Sequence, residues 1–377
     1  MMEPFKNLIH PGLVQRMAGH LQRAWPAFDA QAFVKQASTG LDALEMKARA
    51  MQLADALGAT LPAEFAHAAQ VLEAALAPPW PGDRLGSDDP CRDGLEGWAL
   101  WPVGEFVARH GLAQPERGLQ ALHAITQRFS AEFAIRPFIA AHPDTVFPIL
   151  QRWTADSSAH VRRLVSEGSR PRLPWGLQLK ALVADPAPTA PLLLSLQDDT
   201  SDYVRRSVAN HLNDIAKDHP ARVVAWVQQH LNDAPAERRA LLRHASRTLV
   251  KQGHAGMLKA WGLGQALKGE LTLVLSPARI TLGQSLQMAV LITSSARRTQ
   301  TLVIDYAVHH VKADGSLSPK VFKGWNLVLA PGETRALRKA HPVRPITTRR
   351  YHAGGHVLDL RVNGQVLAEA AFDLQLG

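Results

Sequence analysis

One cysteine, Cys91, stands in 377 residues. A lone thiol excludes an intramolecular disulfide and any cysteine-rich zinc cluster, and it fits a reducing compartment. Long apolar runs are missing too. None approaches the roughly 18–20 residues needed to span a bilayer. The opening segment, MMEPFKNLIHPG, lacks the apolar core of a secretory signal. The expectation is a soluble cytoplasmic protein with no membrane contact. Chemical motifs are equally sparse. The sequence holds no HExxH, Walker or dinucleotide-binding glycine motif. Ser166-Glu167-Gly168 is not a nucleophile elbow. His219, His230, His244 and His254 are scattered. His309 and His310 are neighbours in a predicted strand, so they point to opposite faces and cannot clasp one metal. Neither a metal nor a cofactor is expected.

What is present is basic charge. There are 42 Lys/Arg against 33 Asp/Glu, a net charge of +9 and a pI near 9.9. Such a surplus suits a polyanion without choosing between DNA, RNA and an anionic membrane. It is uneven: residues 269–377 hold 13 basic and 7 acidic side chains, so they carry +6 of the +9.

The chain reads as two domains. Residues 1–268 are rich in Ala, Leu, Gln and Arg, with apolar residues three and four apart, as in Leu119-Leu122-Ile125. That is helical periodicity. Breaks at His142-Pro143-Asp144, Asp185-Pro186, Asp218-His219-Pro220 and Asp233-Ala234-Pro235 separate the helices. The longest breaker-rich stretch, 78–97, is expected to be a loop. In residues 269–377 short runs such as SLQMAVLITS and TLVIDYAVHHV alternate with turns at Ala313-Asp314-Gly315, Ala330-Pro331-Gly332-Glu333 and Asn363-Gly364. About seven strands in that length predict an immunoglobulin-like β-sandwich.

Four helical segments align: TQRFSAE (126–132), VRRLVSE (161–167), VRRSVAN (204–210) and LLRHASR (241–247), offset by 35, 43 and 37 residues. Such periods fit HEAT-like helix pairs stacked in an α-α superhelix. Their last positions, Glu132, Glu167, Asn210 and Arg247, are then expected in one row, with Asp214 one helical turn beyond Asn210. The repeats also bring arginines: Arg128, Arg162, Arg163, Arg205, Arg206 and Arg243, followed by Arg170 and Arg172. Each of these caps a helix end, pairs with Asp156, Asp198, Asp199 or Asp202, or binds phosphate. For the set as a whole, with Arg247, a phosphate-binding face is expected.

The runs WTADSSAHVRRLVSEGSRPRLPW (153–175) and DDTSDYVRRSVANHLNDIAKDHP (198–220), joined to the β-domain, resemble the AlkC branch of the AlkC/AlkD DNA alkylation-repair glycosylases. The resemblance covers essentially the whole chain. It implies excision of cationic N-alkylated bases, chiefly 3-methyladenine and 3-methylcytosine, from double-stranded DNA in base excision repair, without base flipping. It also implies that Glu132, Glu167 and Asp214 sit at the lesion with Trp175 beside it. The residue types suit that chemistry. A cationic base leaves without prior protonation, and positive charge then grows on the deoxyribose. Carboxylates stabilise that charge and orient water, and a tryptophan offers a cation–π face. Plainer roles stand beside these: Trp175 in a core, Glu167 solvated on a helix, Asp214 paired with Lys217. With no lysine at these positions, a monofunctional, monomeric glycosylase leaving an abasic site is expected.

In the β-domain, Arg297-Arg298, Lys320 with Lys323, Arg338-Lys339 and Arg349-Arg350 fall in or near predicted turns. They either clamp DNA or keep edge strands soluble. A second reading of the chain is a non-enzymatic HEAT-repeat scaffold for protein or nucleic acid. RNA binding ranks lower, since Tyr306, Phe322, Trp325, Tyr351 and Phe372 form no RNP-like run.

Overall fold

The computed structural model describes residues 4–84, 86, 91–263, 265–346 and 349–376. Helices occupy the first part: α1 Pro11–Ala24, α2 Ala30–Ser38, α3 Met46–Thr60, α4 Phe65–Ala74, α5 Leu100–His110, α6 Pro115–Thr126, α7 Arg136–Ala141, α8 Pro143–Trp153, α9 Ala159–Gly168, α10 Lys180–Ala184, α11 Ala190–Leu196, α12 Asp202–Ile215, α13 Pro220–Leu231, α14 Ala236–Ala245, α15 Arg247–Lys251 and α16 Ala255–Ala260. Pro115, Pro143 and Pro220 each open a helix. A first-turn residue needs no amide hydrogen, so the predicted breaks at Pro143 and Pro220 are helix starts. Of the stretch 78–97, residues 85 and 87–90 lie outside the described residues, and Leu76 and Leu95 pair at its base.

The helices stack as HEAT-like layers: α6 and α8 on α9, α9 on α12, and α12 on α14. A shared local device starts α9 and α12. Asp156 accepts from the Ser158 amide at 2.8 Å, and Asp199 from the Ser201 amide at 2.9 Å. Arg162 then donates to the carbonyls of Asp156 and Ser157, and Arg205 to those of Asp199 and Thr200. The side chains also join the layers. His123 reaches Asp156 at 2.8 Å, and Arg162 forks onto Asp199 at 2.6 and 3.0 Å.

Two of the four aligned segments depart from the expected helices. TQRFSAE leaves α6 after Thr126 and runs as turns through Glu132, while LLRHASR straddles the end of α14 and the start of α15. Only the two VRR segments lie inside helices.

Among the described residues the β-domain has eight strands: β1 Gly269–Ser276, β2 Arg279–Thr281, β3 Ser285–Ser294, β4 Gln300–Val311, β5 Leu317–Leu329, β6 Thr334–Pro342, β7 Gly354–Val362 and β8 Gln365–Gln375. One sheet runs β1-β3-β6 and the other β2-β8-β7-β4-β5, with β2 parallel to β8. Strict alternation builds the core: Leu286, Met288, Val290 and Ile292 from β3 meet Leu302, Ile304, Tyr306 and Val308 from β4. Asn363 (φ +49°) and Gly364 (φ +82°) take the left-handed conformations that a two-residue hairpin demands. Lys320, Lys323, Arg338 and Lys339 sit within strands, not in turns. Arg297 and Arg298 do lie in the exposed β3–β4 turn.

By contact, the chain forms two compact units. One holds the residues up to Asp218 together with Ala234–Ala245; the other holds His219–Asp233 and everything from Ser246 on. So α13, α15 and α16 belong with the sandwich, although helix gives way to strand at residue 269.

Three histidines are buried in the sandwich: His310, His341 and His356. His341 Nδ1 lies 3.1 Å from the Tyr306 hydroxyl, while neither ring nitrogen of His310 has a partner among the described residues. Burial, with Arg349 beside both, pushes His310 down to about 3 and His341 down to about 4. Burial also lowers His356, against the pull of the His352 carbonyl and Asp373. Unfolded, these rings take up a proton near pH 6.5; folded, they do so at lower pH, His310 and His341 far lower. Their contribution to stability is therefore full above pH 6.5 and is lost as the pH falls from there. At about 1.4 kcal/mol per pH unit for each histidine, His310 and His341 cost the unit about 4 kcal/mol by pH 5. Calorimetry at pH 7 and pH 5 is expected to show its transition about 10 °C lower in acid. An unchanged transition rules this out.

Candidate active site

Four segments of the helical unit converge on one cleft. The turn after α6 brings Ser130 and Glu132. Helix α9 brings Arg163 and Glu167 one turn apart. The segment after it brings Arg170, Arg172 and Trp175. Helix α12 brings Tyr203, Ser207, His211 and Asp214, recurring at three- and four-residue spacing on one face.

Arg163 links the first two carboxylates. It pairs with Glu132 and donates to Ser130 Oγ at 2.8 Å, and its other nitrogen lies 3.8 Å from Glu167. Its guanidinium stands 5.3 Å over the Tyr203 ring. Glu167 is fully engaged: Oε1 accepts from Arg170 at 2.6 Å and Oε2 from Ser207 Oγ at 2.6 Å. Arg170 then passes 3.8 Å from Asp214. Asp214 is wholly buried and accepts from the Arg172 amide and from Lys217, both at 2.7 Å. Glu132 differs from both. Its Oε2 takes Ser130 at 2.6 Å and Arg163, and among the described residues no donor reaches Oε1.

The electrostatics favour an ionised Glu167. Burial alone would raise Glu167, but Arg163, Arg170 and Ser207 bring it below the ordinary range. Burial lowers His160, aided by Arg163, and brings the wholly buried His211 to about 4. Burial also keeps Tyr203 a neutral phenol.

Glu132, Glu167, Arg163, Arg170, Trp175 and Tyr203 line a cleft of about 1290 Å³; Asp214 lies behind it, out of solvent reach. Trp98, Trp101, Phe129 and Phe133 add an aromatic wall, held by edge and tilted ring contacts. Trp175 is not core: it is 77 % exposed, at a left-handed φ of +64°. For a bulky residue that backbone is a true outlier.

The structure narrows the predicted rows. Glu132 and Glu167 meet, and Asp214 joins them through Arg170. Asn210 instead pairs with His244 at 3.0 Å, and Arg247 opens α15 in the other compact unit. The phosphate-binding row of arginines is also revised. Arg162 and Arg205 hold helix starts, Arg163 and Arg170 hold carboxylates, and Arg172 forks onto Asp218 at 2.6 and 2.8 Å. Arg206 is exposed beside Asp202, and Arg243 and Arg247 are exposed. Arg128 serves the carbonyls of Ala77 and Ala124.

Sequence reasoning missed Ser130, Tyr203 and Ser207. The α12 face read back from Asp214 signals Ser207. Arg136, Trp98 and Trp101 carried no signal.

A helical-repeat protein with carboxylates held by arginines in an aromatic cleft, followed by an immunoglobulin-like sandwich, defines a narrow class. Residues 128–249 match the family model described as DNA alkylation repair enzyme, and residues 270–376 match the C-terminal Ig-like domain of the uncharacterised protein YhaZ. The Bacillus subtilis (strain 168) protein YhaZ, itself uncharacterised, is 34 % identical over 97 % of this chain and 98 % of its own. The solved Pseudomonas fluorescens alkylpurine DNA glycosylase AlkC, bound to DNA containing an abasic site analogue, superposes with a TM-score of 0.89 at 35 % identity, covering 99 % of this chain and all of that one. The chain belongs to the AlkC-type branch of the DNA alkylation repair enzymes.

Proposed function

We propose that this protein is a monofunctional DNA glycosylase that excises cationic N-alkylated bases, 3-methyladenine and 3-methylcytosine, from double-stranded DNA. The supporting observation is a cleft in which Glu167, held below the ordinary carboxylate range by Arg163 and Arg170, stands beside Glu132. Such a site offers negative charge to a developing cation, which suits a base that already carries its charge. The C1′–N bond breaks, its electron pair stays on nitrogen, and the base leaves neutral. Water adds to C1′ and releases a proton.

Glu132 keeps a free oxygen toward the cleft, so we assign it to orient and deprotonate that water. Glu167, saturated by Arg170 and Ser207, supplies fixed negative charge for the sugar cation. Asp214 holds Arg170 and the Arg172 amide from behind. Trp175 presents its face to the sugar and the cationic base. No lysine is among the residues lining the cleft, which supports hydrolysis to an abasic site over a Schiff-base step. Because the assistance is aimed at the sugar, extrusion of the base is not required, and we propose that the lesion stays in the helix. Arg206, Arg243 and Arg247, with Arg297 and Arg298 of the β-domain, are the exposed cations proposed to meet phosphates.

The test is single-turnover release of 3-methyladenine from methylated duplex DNA. Release is expected at neutral pH without added metal. No release by the intact protein sinks the glycosylase reading and returns the chain to the scaffold alternative.

A further inference from the structure

We propose that Arg136 is a positioning residue that staples the Trp175 segment into the cleft; this rests on the glycosylase reading above. Arg136 opens α7 and is 0 % exposed. Among the described residues no carboxylate pairs with it directly. Its donors go to three main-chain oxygens: Nε to Leu177, Nη1 to Gly168 at 2.8 Å, and Nη2 to Pro171 at 3.3 Å. Those carbonyls bracket the residues that carry Arg170 and Trp175.

Burial pushes the guanidinium down to about 10, with Asp214 opposing, so it stays charged at neutral pH. A buried cation without a carboxylate partner is a costly way to join chain segments. What it achieves is geometric. Only a planar fork spans three oxygens spread along one loop; an ammonium is a point donor. The loop needs such support, because Trp175 is exposed and strained and makes no anchor of its own. Packing on the staple is tight: a Cβ at Gly176 would stand 3.3 Å from the Cδ and Nε of Arg136.

Single-turnover base release is measured for the wild type, R136Q, R136K, W175A and R136Q/W175A. A misplaced reacting geometry costs up to about 100-fold, so R136Q and R136K are each expected to lose at least about ten-fold. In the W175A background R136Q is expected to cost less than about two-fold more, because coupled residues are not additive. Wild-type rates in R136K, or multiplicative losses, overturn the proposal. If R136Q does not fold, G176A decides, since it crowds the same guanidinium without removing it. A loss that vanishes in W175A supports the staple, and an unchanged rate overturns it. Hydrogen exchange of residues 169–176 reads the staple without catalysis. It is expected to quicken at least about ten-fold in R136K, and equal exchange overturns the proposal even if the intact protein releases no base.

Discussion

Replacing Glu167 by glutamine is expected to slow single-turnover release of 3-methyladenine by about 100- to 1000-fold, the usual loss when one preorganised electrostatic group is removed. The substitution keeps the shape and leaves an acceptor for Ser207 or Arg170. What disappears is a negative charge that is 5 % exposed, where solvent screens it little. The loss should fall on the chemical step, with DNA affinity changing only a few-fold, because the charge is stronger in the transition state than in the bound substrate. A rate within about three-fold of wild type would remove Glu167 from the chemistry. The comparison with Glu132→Gln is informative. If Glu132 handles the water, its loss slows attack, and an added nucleophile such as azide restores part of the rate. Glu167→Gln gains nothing from azide, because its defect lies in the cation.

How far the sequence disclosed this site depended on the distance over which each signal acts. The β-domain was legible because side-chain alternation is local: β3 and β4 announce their buried faces residue by residue. Strands β2 and β6 were not, since β2 is three residues long and β6, TRALRKAHP, is too polar to read as a strand. In the helical unit the two VRR segments were correctly placed in helices. Periodicity nevertheless misjudged what their arginines do. Arg162 and Arg205 look like surface charge until the carbonyls six and five residues upstream are seen beneath them. Glu132 reached the cleft for a reason other than the one that flagged it. It was aligned as a helical residue and arrives from a turn, and only Arg163 connects it to Glu167. Arg136 was silent because its partners are backbone oxygens 32 to 41 residues away, and backbone leaves no trace in residue identity.

Arg163 is where stability and activity are expected to separate. In Arg163→Met, Glu132 loses its guanidinium, and Glu167 keeps only Arg170 and the Ser207 hydroxyl. Burial then dominates at Glu167, and its carboxyl rises above the ordinary range. At pH 6 most of the population is protonated and inactive, so release is expected to fall about ten-fold, recovering by pH 8. The wild type, with Glu167 held below the ordinary range, stays flat over that interval. Stability moves the other way. A carboxylate whose folded value is raised binds more protons folded than unfolded. Its contribution is therefore present below the unfolded pKa and is lost as the pH climbs through the folded one. Arg163→Met should thus melt lower at pH 8 than at pH 6 while working faster there. Arg163→Lys, which keeps the charge, should show neither slope. A flat rate profile in Arg163→Met would mean that Arg163 does not hold Glu167 ionised, and the electrostatic account of the cleft would fall with it.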